Sequence, residues 1–158
     1  MAQISIITKL DMEYIYNALS DADKNKLKGN RILVTGFAGS LGYTLLHFFL
    51  LYGEQLGVEK VYGIDNYMFG RPKWMERFAK NPIFDLRELD VITCDFDFAS
   101  SANIIFHMAS LASPVYYRKR PIETMDADVT GLRRLLDFYK EKPIDGFLFY
   151  SSSEAYGD

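Results

Sequence analysis

Thr35-Gly36-Phe37-Ala38-Gly39-Ser40-Leu41-Gly42 separates a short apolar run, Arg31-Ile32-Leu33-Val34, from a long apolar segment, Leu41 to Leu56. That order reads as strand, tight glycine turn and helix. Glycines let the backbone turn sharply and approach a ligand without a Cβ in the way. A helix N-terminus offers N–H groups and the positive end of a dipole, so the turn is placed to receive an anion such as a pyrophosphate. The spacing is Gly-x-x-Gly-x-x-Gly, not the Gly-x-Gly-x-x-Gly of the better-known dinucleotide fingerprint. Glycines alone would also suit a plain strand-to-helix turn. A second strand ending on an acid tips the balance toward a ligand.

That strand, Lys60-Val61-Tyr62-Gly63-Ile64, runs at once into Asp65-Asn66. A carboxylate at the end of the second strand of a βαβ unit can accept hydrogen bonds from the adenosine ribose hydroxyls. It would repel the 2′-phosphate of NADP, so it favours NAD. Asp65 lies 23 residues after Gly42, somewhat beyond the usual interval of roughly 20, and a longer first helix accounts for the excess. A turn residue closing the strand is the plainer reading of Asp65.

The chain has 158 residues, one domain's worth and enough to bury a core. Its 49% apolar and 25% charged residues suit a soluble globular protein. A net charge of −3 argues against a nucleic-acid or anionic-membrane partner. The single cysteine, Cys94, excludes an internal disulfide and fits a reducing compartment. Met1 to Tyr14 carries acids and polar residues where a signal peptide needs an unbroken apolar run. Leu41 to Leu51, interrupted by Thr44 and His47, is too short for the ~20 residues of a membrane span. A cytoplasmic protein is expected, with no metal site.

Residues 1–28 read as a helical N-terminal extension: Met12, Ile15, Tyr16 and Leu19 fall on one face of a helix starting near Asp11. Ser20 to Lys26 is a break or a second short helix. The helix after the glycine turn is apolar nearly all round, so it is expected to be buried on more than one side. Asn66 to Pro72 reads as a loop and Trp74 to Lys80 as a short helix, with Arg71, Lys73, Arg77 and Lys80 as a solvated basic face. Phe84 to Val91 alternates apolar and charged residues, the pattern of an edge strand. Asn103 to Ser110 is an apolar fourth strand ending in small residues, which leave room for a ligand at the switch point of an open sheet. His107 on that strand reads as a packed, hydrogen-bonded core histidine and not as a catalyst.

Pro121 to Lys140 reads as one helix. Ile122, Met125, Val129, Leu132, Leu136 and Tyr139 form a seam of alternating three- and four-residue steps, with Leu135 and Phe138 beside it placed to face the sheet. Two stripes imply a homodimer through residues 121–140. The fifth strand is Gly146 to Tyr150, running into Ser151-Ser152-Ser153-Glu154-Ala155-Tyr156-Gly157-Asp158. The expected fold is α/β, a doubly wound parallel sheet of order 3-2-1-4-5, Rossmann-like, over residues 29–158 and stopping before the last strands.

Four ordered motifs, Thr35-Gly-x-x-Gly-x-x-Gly42, Asp65-Asn66, His107-x-Ala109-Ser110 and the Ser151–Asp158 stretch, resemble those of extended short-chain dehydrogenases acting on nucleotide sugars. That group is the NAD-dependent epimerase/dehydratase family, and the resemblance covers Asn30 to Asp158. Within it the chain is most similar to UDP-glucuronate decarboxylases, on Asp65-Asn66-x-x-x-Gly70-Arg71, Ala109-Ser110-x-Ala112-Ser113-Pro114-x-x-Tyr117 and Pro121-Ile122-x-Thr124. Ser152-Ser153-Glu154 also follows the decarboxylase pattern of Ser/Thr-Ser-Glu. The resemblance implies NAD, held by the turn Gly36, Phe37, Ala38, Gly39, Ser40, Leu41 and Gly42, with Asp65, Asn66 and Gly70 beyond it. It gives Asp90 and Val91 to the adenine, and Met108, Ala109 and Ser110 to the floor of the site. It assigns Ser152 a hydrogen bond to the reacting sugar oxygen and Glu154 a polar or proton-handling role near the substrate, a nucleotide sugar of the UDP type.

Three departures stand out. The family's Asn before Gly-Thr is Asp128, and Gly131 is followed by Leu132. The turn carries Ser40-Leu41 where decarboxylases have bulkier apolar pairs. No tyrosine has a lysine four residues on, and Tyr116 has only Arg120, so the family's Tyr-x-x-x-Lys is missing. The chain is therefore expected to be the amino-terminal half of a longer enzyme, without its substrate domain and inactive alone. A 4-epimerase, a 4,6-dehydratase and a non-catalytic NAD-binding or interaction module are the other readings.

Overall fold

The computed structural model describes residues 4–152. Helix α1 spans Ile6–Ala18 and α2 spans Asp21–Leu27. Strand β1 is Arg31–Thr35, helix α3 Ser40–Tyr52 and strand β2 Lys60–Asp65. A 3-10 turn, Lys73–Arg77, precedes β3 at Phe84–Glu88, and β4 follows at Ile104–His107. Then come α4, Pro114–Lys119, α5, Pro121–Met125, a π-helical turn, Asp126–Gly131, α6, Leu132–Tyr139, and β5, Gly146–Phe149.

The five strands form one parallel sheet in the order β3-β2-β1-β4-β5, as the sequence pattern predicts. A central parallel strand is covered on both faces and so is apolar throughout. Ile32, Leu33 and Val34 of β1 are accordingly fully buried. Ile32 and Val34 join a core with Leu46, Phe48 and Phe49 of α3, and Leu33 joins a second with Ile105, Leu135 and Tyr139. Helices thus pack on both faces. The strand order reverses between β1 and β4, where a crevice opens at the carboxyl ends.

Several element bounds differ from the sequence reading. Helix α1 starts at Ile6, five residues before Asp11, because the Ser5 hydroxyl accepts the Thr8 N–H at 3.0 Å and caps it there. Ser20 to Lys26 is helical, capped by Ser20, whose hydroxyl accepts the Asp23 N–H. Strand β3 ends at Glu88 because Asp90 turns the chain, its carboxylate accepting the Ile92 N–H at 2.8 Å. Strand β4 ends at His107: the Met108 amide is shared between the Thr35 carbonyl at 3.1 Å and the Thr35 hydroxyl at 3.2 Å, and the Ala109 amide turns to that hydroxyl. Helix α3 stops at Tyr52 with Gly53 as its cap. Its outer side is covered by α1: Met12 is buried in the core, and Tyr16 stacks on Tyr52 with centroids 4.4 Å apart.

The stretch 121–140 is not one regular helix. The π-helical turn sits where Gly131 lies on Val91, which a Cβ would meet at 2.7 Å. Such a turn adds a residue and rotates the faces beyond it. Leu135 packs in the second core as expected, but Tyr139 leaves the seam and is buried with it, its hydroxyl donating to the Ala99 carbonyl at 2.6 Å. Helix α4 lies in a stretch where the sequence pattern indicated none.

Candidate functional site

The glycine turn joins the carboxyl end of β1 to the start of α3, and its geometry depends on two glycines. Gly36 has φ +71°, and a Cβ there would lie 2.8 Å from the Ala109 backbone and the Met108 carbonyl. At Gly42 a Cβ would lie 2.1 Å from the Phe37 carbonyl, so the helix closes directly on the turn. Gly39 differs. It is the N-cap of α3, and a Cβ there meets nothing closer than 3.4 Å, on the side that opens to solvent. The first turn of α3 holds no acidic side chain to neutralise its positive end.

A cleft of about 260 Å³ lies over this turn. Gly36, Ala38, Gly39, Ser40, Leu41 and Gly42 form one wall. Asp65, Tyr67, Phe69 and Gly70 form a second, and Met108, Ser110, Ala112 and Ser113 the third. The sequence reading missed Tyr67, Phe69, Ala112 and Ser113 as wall residues. Only their place in the quoted motif stretches hinted at them. Phe69 and Tyr116 pair their rings at 4.5 Å, which ties the loop after β2 to α4.

Asp65, half-buried at the end of β2, accepts the Ala38 N–H on Oδ2 at 2.9 Å and the Tyr67 N–H on Oδ1 at 2.8 Å. Its carboxyl is held above the usual range by burial, against the opposing pull of those two N–H groups. The carboxylate therefore fixes the glycine turn and the start of the next loop, and presents its remaining lone pairs to the cleft.

Other predicted residues lie elsewhere. The Phe37 ring is fully buried in the core, edge-on to Tyr67 at 5.8 Å, so it supports the turn from below. Asn66 donates to the Asp90 carboxylate at 3.0 Å, which links the ends of β2 and β3 beyond the cleft wall. Val91 is buried in the second core. Ala109 contributes the backbone beside Gly36. Ser152 is exposed beyond β5 and is not among the wall residues. Glu154 lies outside the described residues.

Tyr67 is followed four residues on by Arg71, whose guanidinium lies 5.4 Å from its ring centre. Burial nonetheless pushes the phenol up, outweighing the cation. That pair does not supply a base at neutral pH. Under the cleft floor, Thr35 Oγ1 lies 2.7 Å from His107 Nδ1 and accepts the Met108 and Ala109 N–H groups at 3.2 Å each. His107 is the buried, hydrogen-bonded histidine that the sequence indicates.

The model of the NAD dependent epimerase/dehydratase family matches residues 32–158. The chain belongs to that family. Among curated relatives, it is 33% identical over 133 residues to UDP-glucuronic acid decarboxylase 2 of Arabidopsis thaliana, covering 84% of this chain and 28% of that one. It is 34% identical over 128 residues to UDP-glucuronic acid decarboxylase 1 of the same plant, covering 81% and 27%. The chain thus spans little more than a quarter of these two relatives. The fold is shared with DesIV, a dTDP-glucose 4,6-dehydratase from Streptomyces venezuelae solved with NAD bound. That likeness has a TM-score of 0.72 at 18% identity, over 81% of this chain and 41% of the other.

NAD is the cofactor of the family, and the residues present fit it. The Gly39 side of the turn leaves the space a pyrophosphate needs, the start of α3 carries no opposing charge, and Asp65 lines the cleft at the carboxyl end of β2. Among the described residues no group of His, Cys, Asp and Glu is placed to hold a metal ion, and no helix is long and apolar enough to cross a membrane.

Proposed function

We propose that this chain is the cofactor-binding part of an enzyme that decarboxylates UDP-glucuronate. The observation that carries this reading is its 33% identity to a UDP-glucuronic acid decarboxylase over 84% of its length. When bound, NAD supplies the acceptor that takes hydride from the sugar's C4 and later returns it. A carboxylate β to a C4 ketone can leave as CO₂, because the electrons left behind delocalise into an enolate.

The chain's own residues have definable parts in this. The turn from Gly36 to Gly42 binds the pyrophosphate, and Asp65 orients the ribose and rejects a 2′-phosphate. Asp90 with Asn66 edges the adenine end. Ser110 and Ala112 are small, so the sugar can approach the cleft. Ser152 hydrogen-bonds the C4 oxygen and Glu154 handles a proton near the substrate. The base that removes the C4 hydroxyl proton is not supplied by these residues, because no tyrosine here is followed by lysine at the fourth position.

We also assign a homodimer contact to the face of α5, the π turn and α6. Ile122, Met125, Val129 and Leu136 remain 45–66% exposed there.

The test extends the chain by its downstream coding sequence and assays UDP-glucuronate for CO₂ release in the presence of NAD⁺. A Tyr-x-x-x-Lys in that extension and pentose formation without net NADH support the reading. A C4-epimerised or 4-keto-6-deoxy product would replace it with epimerase or dehydratase activity.

A further inference from the structure

His47 is a polar ring among apolar ones. It lies fully buried on α3, with ring centres of Tyr43 at 4.0 Å, Phe78 at 5.2 Å and Trp74 at 5.6 Å. Both of its nitrogens have partners whose chemistry allows one arrangement only. The Tyr43 carbonyl, 2.8 Å from Nδ1, can only accept, so Nδ1 carries the proton. The Arg77 guanidinium, 2.9 Å from Nε2, can only donate, so Nε2 is the acceptor. The ring is therefore neutral. A second proton has no place on it, because Nε2–H would face N–H and an imidazolium would lie beside a guanidinium.

The contact ties two elements together. Arg77 closes the 3-10 turn Lys73–Arg77, whose Met75 is buried and whose Trp74 ring meets Tyr43 edge-on at 5.2 Å. That turn follows the loop of Tyr67, Phe69 and Gly70 that forms the second cleft wall, and Tyr67 and Trp74 pack on one core. Charges around the ring are few. Tyr43 faces it from α3 and Arg77 from the turn, while α1 reaches only Tyr43, whose hydroxyl lies 3.0 Å from the Thr8 hydroxyl. Lys73 and Glu76 of the turn are exposed, and Arg77 is the one charge that shifts the ring's proton affinity.

We propose that His47 and Arg77 form an acid-sensitive latch. While the ring is neutral it accepts Arg77 and holds the 73–77 turn, and with it the second cleft wall, on α3. A proton on Nε2 removes that bond and frees the turn. Burial holds the ring's pKa below 6.5; the Tyr43 carbonyl pulls the other way, and the Arg77 charge adds to burial. The latched state thus takes the proton less readily than the open one. Its contribution is fully present above 6.5 and is lost as pH falls below that, through the lowered value. One proton enters on opening, so the open fraction should grow about tenfold per pH unit across that interval.

The test uses the 158-residue chain, whose one tryptophan is Trp74. Long-range ¹⁵N–¹H NMR should find the His47 proton on Nδ1 at neutral pH. Below pH 6.5, Trp74 emission and the exchange protection of the Met75 and Phe78 amides, which close the turn, should report opening with the one-proton slope. His47→Gln keeps an acceptor for Arg77 and a donor for the Tyr43 carbonyl but cannot titrate, so it should stay latched. It retains Asp65 and His107, so a transition seen in both proteins is not the latch. Arg77→Met should let His47 titrate at higher pH than in the wild type. An Nε2–H tautomer at neutral pH, or the same acid transition in wild type and His47→Gln, overturns the proposal. Should His47→Gln not fold, the wild-type tautomer and the His47 titration in Arg77→Met still decide, and an unmoved titration overturns it. The consequence for a ligand rests on the cofactor reading of the cleft: NAD affinity should fall more steeply with acid in the wild type than in His47→Gln. A latch that opens as expected in a chain that binds no NAD at any pH upholds the latch and counts against the cofactor reading.

Discussion

Asp65 uses one oxygen for the Ala38 amide and the other for Tyr67, and its side chain lies in the cleft wall. A 2′-phosphate brought to that carboxylate meets like charge, so NAD(H) should bind more tightly than NADP(H). Calorimetric titration with both cofactors checks this, and equal affinities would refute it. Asp65→Ala should cost NAD about tenfold, since hydrogen bonds to a charged group are worth roughly 1.5–3 kcal/mol and water replaces part of them. Burial holds the Asp65 carboxyl above its ordinary range. Affinity that needs its ionised form should therefore fall as pH drops through a higher value than an exposed aspartate would give, and Asp65→Asn should flatten that dependence. For stability the sign is opposite. The folded state holds this proton more tightly than the unfolded chain, so the group's contribution is greatest below 3.8 and is lost as pH rises through the raised value. The glycines separate fold from binding in the same way. Gly36→Ala should destabilise by about 3 kcal/mol in urea titrations, through positive φ and backbone overlap. Gly39→Val should leave the urea midpoint nearly unchanged while reducing NAD affinity at least as much as Asp65→Ala, because its side chain points into open space over the turn.

At the scale of elements, the stretch from Pro121 to Tyr139 decides what the chain does with its apolar surface. Steps of three and four residues along it describe a single seam only if the helix is regular. The π turn at Asp126–Gly131 breaks that condition. Ile122, Met125, Val129 and Leu136 stay exposed, while Tyr139 turns inward to the Ala99 carbonyl. The homodimer assignment therefore rests on four residues rather than six. Met125→Glu with Leu136→Glu, both at exposed positions, should shift sedimentation from dimer to monomer without changing the far-ultraviolet circular dichroism. An unchanged dimer would move the contact to another face. Helix α1 makes a related point. Its capping serine stands before a run, Ile6, Ile7 and Leu10, whose side chains are exposed, so periodicity marks only its buried half around Met12.

For the molecule as a whole, the sheet presents a cofactor cleft, and among the described residues no tyrosine has its pKa lowered toward neutrality. A phenol with an ordinary pKa near 10 is mostly protonated at neutral pH, and each unit of mismatch costs about 1.4 kcal/mol. Tyr67, the tyrosine in the cleft wall, is pushed further up by burial. Incubated with NAD⁺ and UDP-glucuronate, the 158-residue chain should bind cofactor yet produce neither NADH absorbance nor CO₂ at enzymatic rates. Ordinary turnover would mean that another residue, Tyr117 or Tyr156, acts as the base.

The strand order, the glycine turn and the acid at the end of β2 were legible in the sequence because each is a local signal. Apolar runs report burial, glycines report backbone room, and Asp65 directly follows its strand. The Ala38 amide on Asp65 comes from 27 residues away, and the Thr35 hydroxyl on His107 from 72. The same holds for Tyr67, Phe69 and Ser113 in the cleft wall and for the rotation at the π turn. Those features exist only once strands lie in register and helices pack on them. Hydrogen bonds and cleft walls between distant segments depend on ångström-scale geometry, to which local periodicity is blind. The sequence by itself determined the sheet and the class of ligand at its crevice. Only the tertiary structure decided which groups close that crevice and which apolar stripe of 121–139 remains outside.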